Sequence, residues 1–503
     1  MVDLAEFENH SDNLANRSRV IAQERTWSNV IDGKFEPSVT GRVINMVCPS
    51  DGKTFCMIAH SGLEDINAAV DAARRAFEDG LWSRMPALER GRILRHLAQR
   101  IHANFEDLAA LESRDTGKPL SQAEADITAT ARYFEYYGGA ADKVHGETIP
   151  LPNGFTAMTL REPHGVVGSI IPWNYPAQIM GRVVGAGLAM GNCLVIKPAE
   201  DACLSILRIA ELALEAGVPP GVLNVVTGTG EEAGALLASH PGLDFITFTG
   251  SPEVGTLIQR AAAGNHIGCT LELGGKSPQV LFDDADLEAA MPVITNAIIQ
   301  NAGQTCSAGS RLLVHKDKWD EVLENLVRRF DNLVANAHHV NADLGPLVTR
   351  NQAERVAGFM DLADDANIPV LAAGKIAEDA PEGGYYAAPT LFGPVPSDSA
   401  LAQEEVFGPV LSMLPFSDEE EAVKLANDTP YGLVAGLWTR DAARSMRLAR
   451  SIRAGQVYIN GYGAGGGIEL PFGGFKKSGH GREKGFEGLY EFSATKTIVM
   501  NHG

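Results

Sequence analysis

The chain has 503 residues, which is long enough for two or three domains with sizeable cores. Hydrophobic residues make up 45% and charged residues 21%, values that are ordinary for globular proteins and exclude a disordered or fibrous chain. The formal net charge of −21 repels phosphate backbones and anionic lipid surfaces, so we expect neither nucleic acid nor membrane as a partner.

Targeting segments and cysteine patterns are the next features that classify the chain. Its apolar runs stay short of the roughly 18 residues that a membrane span needs, and its first residues are polar and acidic, unlike a secretory signal. The six cysteines are scattered without paired spacing, which is typical of reduced thiols and indicates neither disulfides nor a zinc site. We therefore expect a cytoplasmic protein without a metal site.

The first part of the chain predicts two helices. Residues Ser61 to Glu64 have the pattern of a capping box, and the apolar spacing that follows predicts a helix as far as Phe77. A second helix is predicted from Pro86 to Glu112, because proline is tolerated in a first helical turn.

Beyond Arg161, short β-branched runs alternate with stretches rich in alanine and leucine. Strand–helix alternation without hairpin turns predicts a parallel sheet with helices on both faces. The predicted strands are Gly165–Ile171, Leu194–Ile196, Val222–Val226 and Phe245–Phe248.

A second αβ series follows Ser277, with a predicted domain boundary near Glu272–Lys276, where two glycines allow a sharp bend. The fold class is therefore α/β. The glycine-rich segment Gly461–Gly467 predicts a loop. The predicted elements of this second series are the strands Gln279–Phe282 and Arg311–Val314 and the helices Asp286–Ile299 and Lys318–Ala335.

Three segments hold candidate catalytic residues. Cys306 lies in a glycine-containing loop between a predicted helix and a predicted strand, where a thiol can reach a cleft; the alternative is a small buried side chain. Glu272 lies between two leucines, where partial burial would suit a general base; the alternative is an ion pair at the domain junction. Asn174 follows a parallel strand, where ligands of open sheets bind, and its amide can donate to an oxyanion; the alternative is a turn residue between two prolines.

Together, these segments resemble the aldehyde dehydrogenase superfamily along nearly the whole chain. The resemblance implies an aldehyde dehydrogenase-like α/β fold with two Rossmann-like parallel-sheet domains and a small β extension. Seven motifs occur in the order in which the family has them. They are Pro172–Pro176, Lys197–Glu200, Phe248–Ser251, Glu272–Pro278, Gly303–Cys306, Glu404–Pro409, and Pro471–Gly474 together with Ser478–Glu483.

The resemblance also implies how the chain is divided. The NAD-binding domain is expected at residues 1–142 and 163–274, the catalytic domain at 275–484, and the oligomerisation strands at 143–162 and 485–503. The apolar run Thr495–Met500 would be an exposed sheet edge in a monomer, which is a liability. We therefore expect a homodimer or a homotetramer.

By resemblance, Cys306 is the nucleophile that attacks an aldehyde, while Asn174 and the Cys306 backbone N–H hold the oxyanion. Hydride transfer to the nicotinamide leaves a thioester, and Glu272 activates the water that hydrolyses it to a carboxylic acid. Branches that pass the acyl group to coenzyme A generally lack this glutamate, so hydrolysis is favoured. The alternative is a catalytically silent structural homologue, against which the retained residues argue.

The resemblance implies a site for NAD as well. The helix that starts near Ser251 is expected to receive the pyrophosphate at its N-terminus. Lys197 and Glu200 are expected to contact the adenosine ribose, where a carboxylate favours NAD over NADP. Glu405 and Phe407 are expected to hold the nicotinamide ribose and ring. The other expected cofactor residues are Ile171, Pro172, Trp173, Ala199, Gly230, Gly234, Phe248, Gly250 and Val254.

Substrate choice is predicted from Arg182, eight positions after Asn174, where many family members have a bulky aromatic residue. Members that resemble succinate-semialdehyde dehydrogenase have an arginine there that binds a carboxylate, although Gln300 stands where that branch has a second arginine. We favour a semialdehyde bearing a carboxylate. The alternatives are neutral aliphatic or aromatic aldehydes, aminoaldehydes, and a purely structural ion pair for Arg182. The other expected pocket residues are Tyr175, Gln178, Thr305, Ser307 and Phe472.

Overall fold

Two mixed sheets of eight and seven strands form the centre of the fold, in a computed structural model that describes residues 26–463 and 467–503. The central strands of the larger sheet run parallel, and antiparallel strands lie at both edges. Every residue of its two central strands is buried. In sheet order the strands are Lys34–Glu36, Asn29–Ile31, Leu223–Val225, Cys193–Pro198, Val166–Ile171, Phe245–Thr249, Gly268–Glu272 and Gly479–His480.

Helices share one hydrophobic core with this larger sheet. Their apolar faces cover strands that are themselves apolar on both sides, as expected for a parallel sheet. These helices are Leu63–Asp79, Ala87–Ala103, Phe105–Thr116, Leu120–Ala140, Pro176–Ala189, Leu204–Ala216, Ala235–Ala238, Pro252–Gly264 and Gly485–Glu491.

The seven-stranded sheet is parallel except at the edge strand Val370–Ala373. Two hydrophobic clusters form its core. In sheet order its strands are Val370–Ala373, Thr390–Phe392, Val410–Phe416, Arg311–His315, Pro278–Leu281, Val434–Trp438 and Gln456–Ile459. The helices of this part are Leu287–Ile299, Trp319–Phe330, Arg350–Asp365, Ala400–Gln403, Glu419–Asn427 and Ala442–Ser451.

A third sheet projects from this body. Its strand Ser493–Asn501 pairs antiparallel with Phe155–Pro163 over nine residue pairs, and Thr148–Ile149 adds a short third strand. In the C-terminal strand, Val499 and Met500 each have 57% of their surface exposed. The single chain therefore presents an apolar surface to solvent. Two-stranded pairs join Val43–Val47 with Thr54–Ala59 and Val334–Ala335 with Lys375–Ile376.

The predicted capping box is wrong by one residue. The helix begins at Leu63 after Gly62, and the carboxylate of Asp65, not of Glu64, accepts the Gly62 N–H at 2.9 Å. Asp65 also accepts the Val39 N–H at 3.0 Å, a tertiary contact that fixes which acidic residue closes the turn. Ser61 instead donates to a neighbouring asparagine side chain.

Two predicted helices are longer than the observed ones. The predicted helix 86–112 is interrupted at Asn104, whose side-chain amide donates to the Arg100 carbonyl at 2.8 Å and competes with the helical backbone. The predicted helix 318–335 ends at Phe330, because Val334–Ala335 pairs as a strand. The predicted glycine loop 461–467 lies partly outside the described residues. No helix within the described ranges is both long and apolar enough to cross a membrane.

Candidate active site

A cavity of about 500 Å³ lies at the carboxyl ends of three neighbouring parallel strands of the larger sheet, Val166–Ile171, Phe245–Thr249 and Gly268–Glu272. Ligands of open α/β sheets bind at such ends. The cavity brings together residues that the sequence places up to 300 positions apart. The predicted site residues that line it are Pro172, Trp173, Asn174, Tyr175, Gln178, Arg182, Gly250, Ser251, Glu272, Gln300, Thr305, Cys306, Ser307, Glu405, Phe407 and Phe472.

Cys306 reaches this cavity on a tightly shaped loop. Asn301 and Ala302 have φ angles of 49° and 53°, in the left-handed region that non-glycine residues rarely adopt. A Cβ on Gly303 would lie 2.0 Å from the carbonyl oxygen of Gly408, so only glycine fits there. The loop holds the half-buried thiol at the cavity wall.

The amide of Asn174 is held from two sides. Its Nδ2 donates to the Gln304 carbonyl at 3.0 Å, and its backbone carbonyl accepts from Lys118 Nζ at 2.9 Å and Asn301 Nδ2 at 3.0 Å. An amide nitrogen carries two hydrogens, and one of them is engaged by Gln304. The other remains for a ligand in the cavity.

Glu272 ends the strand Gly268–Glu272 and is only 2% exposed. Within the described part of the chain, neither of its carboxylate oxygens accepts a hydrogen bond. Burial, and next the charge of Glu483, raise the pKa of Glu272 well above its ordinary value. A carboxyl group with such a high proton affinity has the property that a general base needs.

Arg182 also lines the cavity, where its guanidinium forms an ion pair with the buried carboxylate of Glu483. Its Nη2 donates to Thr249 Oγ1 at 3.3 Å. This geometry agrees with the structural alternative for Arg182, because the ion pair offsets the charge that the guanidinium would offer to a substrate carboxylate.

The thiol of Cys306 is surrounded by these charges. Burial raises the pKa of Cys306 to about 12, and the positive charges of Arg182 and Lys484 act in the opposite direction. Burial thus favours the protonated thiol, and each nearby cation favours the reactive thiolate.

The predicted adenosine site lies outside the cavity. Lys197 Nζ pairs with Glu200 Oε2 at 2.7 Å, and the Gly230 N–H donates to Glu200 Oε1 at 3.1 Å. Burial acts against ionisation, but the charge of Lys197 holds the pKa of Glu200 below its usual value. The predicted cofactor residues outside the cavity are Ile171, Lys197, Ala199, Glu200, Gly230, Gly234, Phe248 and Val254.

Glu405 and Phe407, the residues expected to hold the nicotinamide ribose and ring, both line the cavity. The Gly275 N–H donates to Glu405 Oε1 at 3.0 Å, and a Cβ on Gly274 would lie 2.2 Å from Oε2. Burial raises the pKa of Glu405 to about 7. The ring of Phe407 meets the ring of Trp173 edge-on at 5.4 Å. The Glu405 oxygen Oε2 receives no hydrogen bond from the described residues, so it can accept one from a ribose hydroxyl, which fits the expected cofactor.

Sequence reasoning missed several cavity residues. Gln352 and Arg355, on the helix Arg350–Asp365, donate at 2.7 Å to the backbone carbonyls of Phe407 and Glu405, and no motif marks them. Lys484 directly follows a motif stretch, and Thr249, Gly274 and Glu404 stand inside motifs, so for these four residues the motifs were an available signal. The missed residues are Ile179, Thr249, Pro252, Glu253, Gly274, Gln352, Arg355, Glu404, Tyr431 and Lys484. In the described ranges no cluster of metal-ligating side chains occurs.

Comparison with known proteins relates the chain to one family. The profile of the family described as "Aldehyde dehydrogenase family" matches residues 35–498. An Arabidopsis thaliana protein, aldehyde dehydrogenase family 2 member B4, is 42% identical over 473 residues, which cover 93% of this chain and 87% of that one.

Solved structures agree with these sequence matches. A Burkholderia cenocepacia crystal structure, provisionally assigned as an aldehyde dehydrogenase, superposes with a TM-score of 0.93 at 57% identity and covers 95% of this chain and all of that one (100%). The NAD+ complex of an aldehyde dehydrogenase from Bacillus cereus superposes with a TM-score of 0.93 at 39% identity, covering 96% and 98% of the two chains.

Proposed function

The chain belongs to the aldehyde dehydrogenase family, and from that membership we propose that it oxidises aldehydes through a covalent intermediate on Cys306. It is an NAD-dependent enzyme for small aldehydes. The single observation that carries the mechanism is that Cys306, Asn174 and Glu272 line one cavity.

In the first step, the thiolate form of Cys306 adds to the aldehyde carbon, and the electron pair of the carbonyl double bond moves to the oxygen, which becomes an oxyanion. The free amide hydrogen of Asn174 and the Cys306 backbone N–H stabilise it. Such donors typically contribute about 3–4 kcal/mol each, because they are already oriented before charge develops. The hydrogen bonds of Asn174 to Gln304, Lys118 and Asn301 provide that orientation.

NAD, when bound, would supply the hydride acceptor, and loss of hydride from the tetrahedral adduct would leave Cys306 acylated as a thioester. Glu272 takes a proton from a water molecule, whose oxygen attacks the thioester carbon. The Cys306 thiolate leaves and the carboxylic acid is released. Glu272 suits this role, since its high proton affinity is not offset by any hydrogen bond from the described residues.

We propose that NAD is preferred over NADP because of Glu200. The ionised carboxylate beside Lys197 can accept hydrogen bonds from ribose hydroxyls, whereas it repels a 2′-phosphate. The N-terminus of the helix Pro252–Gly264 would receive the pyrophosphate. The unpartnered oxygen of Glu405 supports a contact with the nicotinamide ribose.

We also propose a homodimer or a homotetramer in the cytoplasm. The argument rests on the strand Ser493–Asn501, whose exposed residues Val499 and Met500 would be covered by a second subunit. Sedimentation equilibrium measures the assembly directly, and a monomer at micromolar concentration would contradict it.

The activity is tested by NADH absorbance after mixing the protein with NAD and a panel of aldehydes. We expect turnover with at least one small aldehyde and none in Cys306→Ala. Absence of turnover in the wild type would support the catalytically silent alternative. Undiminished turnover in Cys306→Ala would refute the nucleophile.

A further inference from the structure

Lys484 is a buried cation at the cavity wall to which the catalytic steps assign no role. It is 2% exposed, and its backbone has φ 63° and ψ 170°, a region that essentially only glycine occupies without strain. Within residues 26–463 and 467–503, no hydrogen bond or ion pair reaches its Nζ. An ammonium that is desolvated without a partner is costly, so a ligand that pairs with it is favoured.

Lys484 and Arg182 flank the same aromatic ring. The Lys484 Nζ lies 4.9 Å from the centre of the Phe472 ring, and the Arg182 guanidinium carbon lies 5.5 Å from it. The two cations differ in their partners. Arg182 forms an ion pair with Glu483, whereas the Lys484 ammonium lies over the face of the Phe472 ring.

The groups that act on Lys484 electrostatically do not neutralise it. Burial, and next the charge of Arg182, lower the pKa of Lys484 to about 8, so the ammonium is still the main form at neutral pH. Cys306, Glu483 and Glu272 favour the ammonium from beyond ion-pair distance. Glu483 already forms an ion pair with Arg182. Glu272 has the proposed role of activating the hydrolytic water. The substrate end of the cavity therefore keeps an uncompensated positive charge.

We propose that the Lys484 ammonium binds a carboxylate at the far end of the aldehyde substrate. The inference rests on the proposed aldehyde oxidation and names the class of substrate: a short aldehyde with an anionic terminus. Phe472 supplies the apolar surface for the methylene groups in between, and the strained backbone fixes the lysine at this place. The role assigned to Arg182 by resemblance then passes to Lys484.

The test compares succinate semialdehyde with its methyl ester, which has a similar shape but no charge. We expect the ratio of the two kcat/KM values, anion over ester, to fall at least about tenfold in Lys484→Met. The reason is that a charge-assisted contact between a buried ammonium and a carboxylate favours the anion over the ester, and the variant lacks that contact. Lys484→Arg should retain most of the ratio. Lys477→Met, which removes an exposed lysine outside the cavity, is the matched control. An unchanged ratio in Lys484→Met overturns the proposal.

Two further measurements keep the result unambiguous. If Lys484→Met does not fold, Lys484→Gly removes the ammonium and relaxes the backbone, and the same fall in the ratio is expected. The pH profile of Cys306 alkylation by iodoacetamide, corrected with Cys306→Ala, should move to higher pH in Lys484→Met, because the ammonium favours the thiolate. That effect lowers kcat/KM for both substrates alike, so the ratio of the two kcat/KM values reports the carboxylate contact alone. A shifted profile with equal losses on both substrates would assign Lys484 to the thiolate instead.

Failure of this inference is separable from failure of the proposed function. Wild-type protein that oxidises the ester as well as the anion contradicts only the role of Lys484. Wild-type protein that forms no NADH with any aldehyde contradicts the proposed function itself.

Discussion

The Lys118 ammonium donates a 2.9 Å hydrogen bond to the backbone carbonyl of Asn174. Lys118 is itself fully buried and forms an ion pair with Asp126, which in turn accepts from Gln178 Nε2 at 3.1 Å. The proposed oxyanion donor is thus attached to a charged cluster on the helix Leu120–Ala140, behind the cavity wall. Because that carbonyl and the donor amide belong to one residue, the cluster fixes the position of the amide.

Lys118 is therefore expected to be a positioning residue. Lys118 Nζ also lies 3.7 Å from the buried carboxylate of Glu112. Lys118→Met combined with Glu112→Gln and Asp126→Asn removes the three buried charges together, and we expect kcat/KM to fall by about 10- to 100-fold as the amide shifts. NAD affinity, measured by fluorescence titration, should stay the same. A merely structural role would lower the melting temperature and leave kcat per titrated Cys306 unchanged, and that result would contradict the prediction.

Removing the carboxylate of Glu272 should separate the two halves of the reaction. In Glu272→Gln, hydride transfer still occurs once per site, but hydrolysis of the thioester lacks its base. Stopped-flow absorbance should show a burst of one NADH per Cys306, followed by a rate about 10²- to 10⁴-fold below that of the wild type. A variant that turns over steadily at the wild-type rate would show that another group activates the water.

Glu200 is expected to set the choice of dinucleotide. Glu200→Gln removes the negative charge beside Lys197, so the repulsion of a 2′-phosphate disappears, and we expect kcat/KM for NADP relative to NAD to rise about tenfold or more. Glu215→Gln, an exposed acid on the helix Leu204–Ala216, is the control and should leave the ratio as it is. An unchanged ratio in Glu200→Gln would place the discrimination elsewhere.

Asp115 should make stability depend on pH. Its carboxylate accepts the Leu204 N–H at 2.8 Å, and burial raises the pKa of Asp115 to about 8. Between about pH 4 and pH 8 the folded protein keeps a proton that the unfolded chain has released, so stability falls as the pH rises through this window, by up to about 1.4 kcal/mol per pH unit.

Asp115→Asn keeps the acceptor oxygen and removes this titration. The melting temperature should fall less between pH 6 and pH 8 in the variant than in the wild type. Asp361→Asn, on an exposed helix face, serves as the comparison and should behave as the wild type does. Identical pH dependence in Asp115→Asn and the wild type would rule out Asp115 as the source.

The sequence predicted the candidate catalytic residues best where they stand in short motifs of neighbouring residues. Cys306, Asn174 and Glu272 stand in short motifs whose residue types match their chemistry, and the carboxyl ends of parallel strands predict that Asn174 and Glu272 lie close together. Cys306 precedes a strand of the other sheet, so its arrival at the same cavity depends on how the two sheets pack. Asp65 shows the limit, because its choice over a neighbouring acid depends on the N–H of Val39, 26 residues away. The partner of Arg182 was equally hidden, since Glu483 lies about 300 residues further along the chain.

Pairing between distant segments also determines when the strand Gly268–Glu272 can complete its hydrogen bonds during synthesis. Leu271 and Glu272 pair with His480 and Gly479, and the Thr270 hydroxyl donates at 2.6 Å to a carboxylate 221 residues further along. A ribosome makes the strand long before its edge partner exists, so the nascent chain carries an unpaired, aggregation-prone strand edge during that interval. The strand that ends at Glu272, the proposed general base, is completed only after most of the chain has been synthesised, and incomplete chains are therefore expected to be inactive and dependent on chaperones.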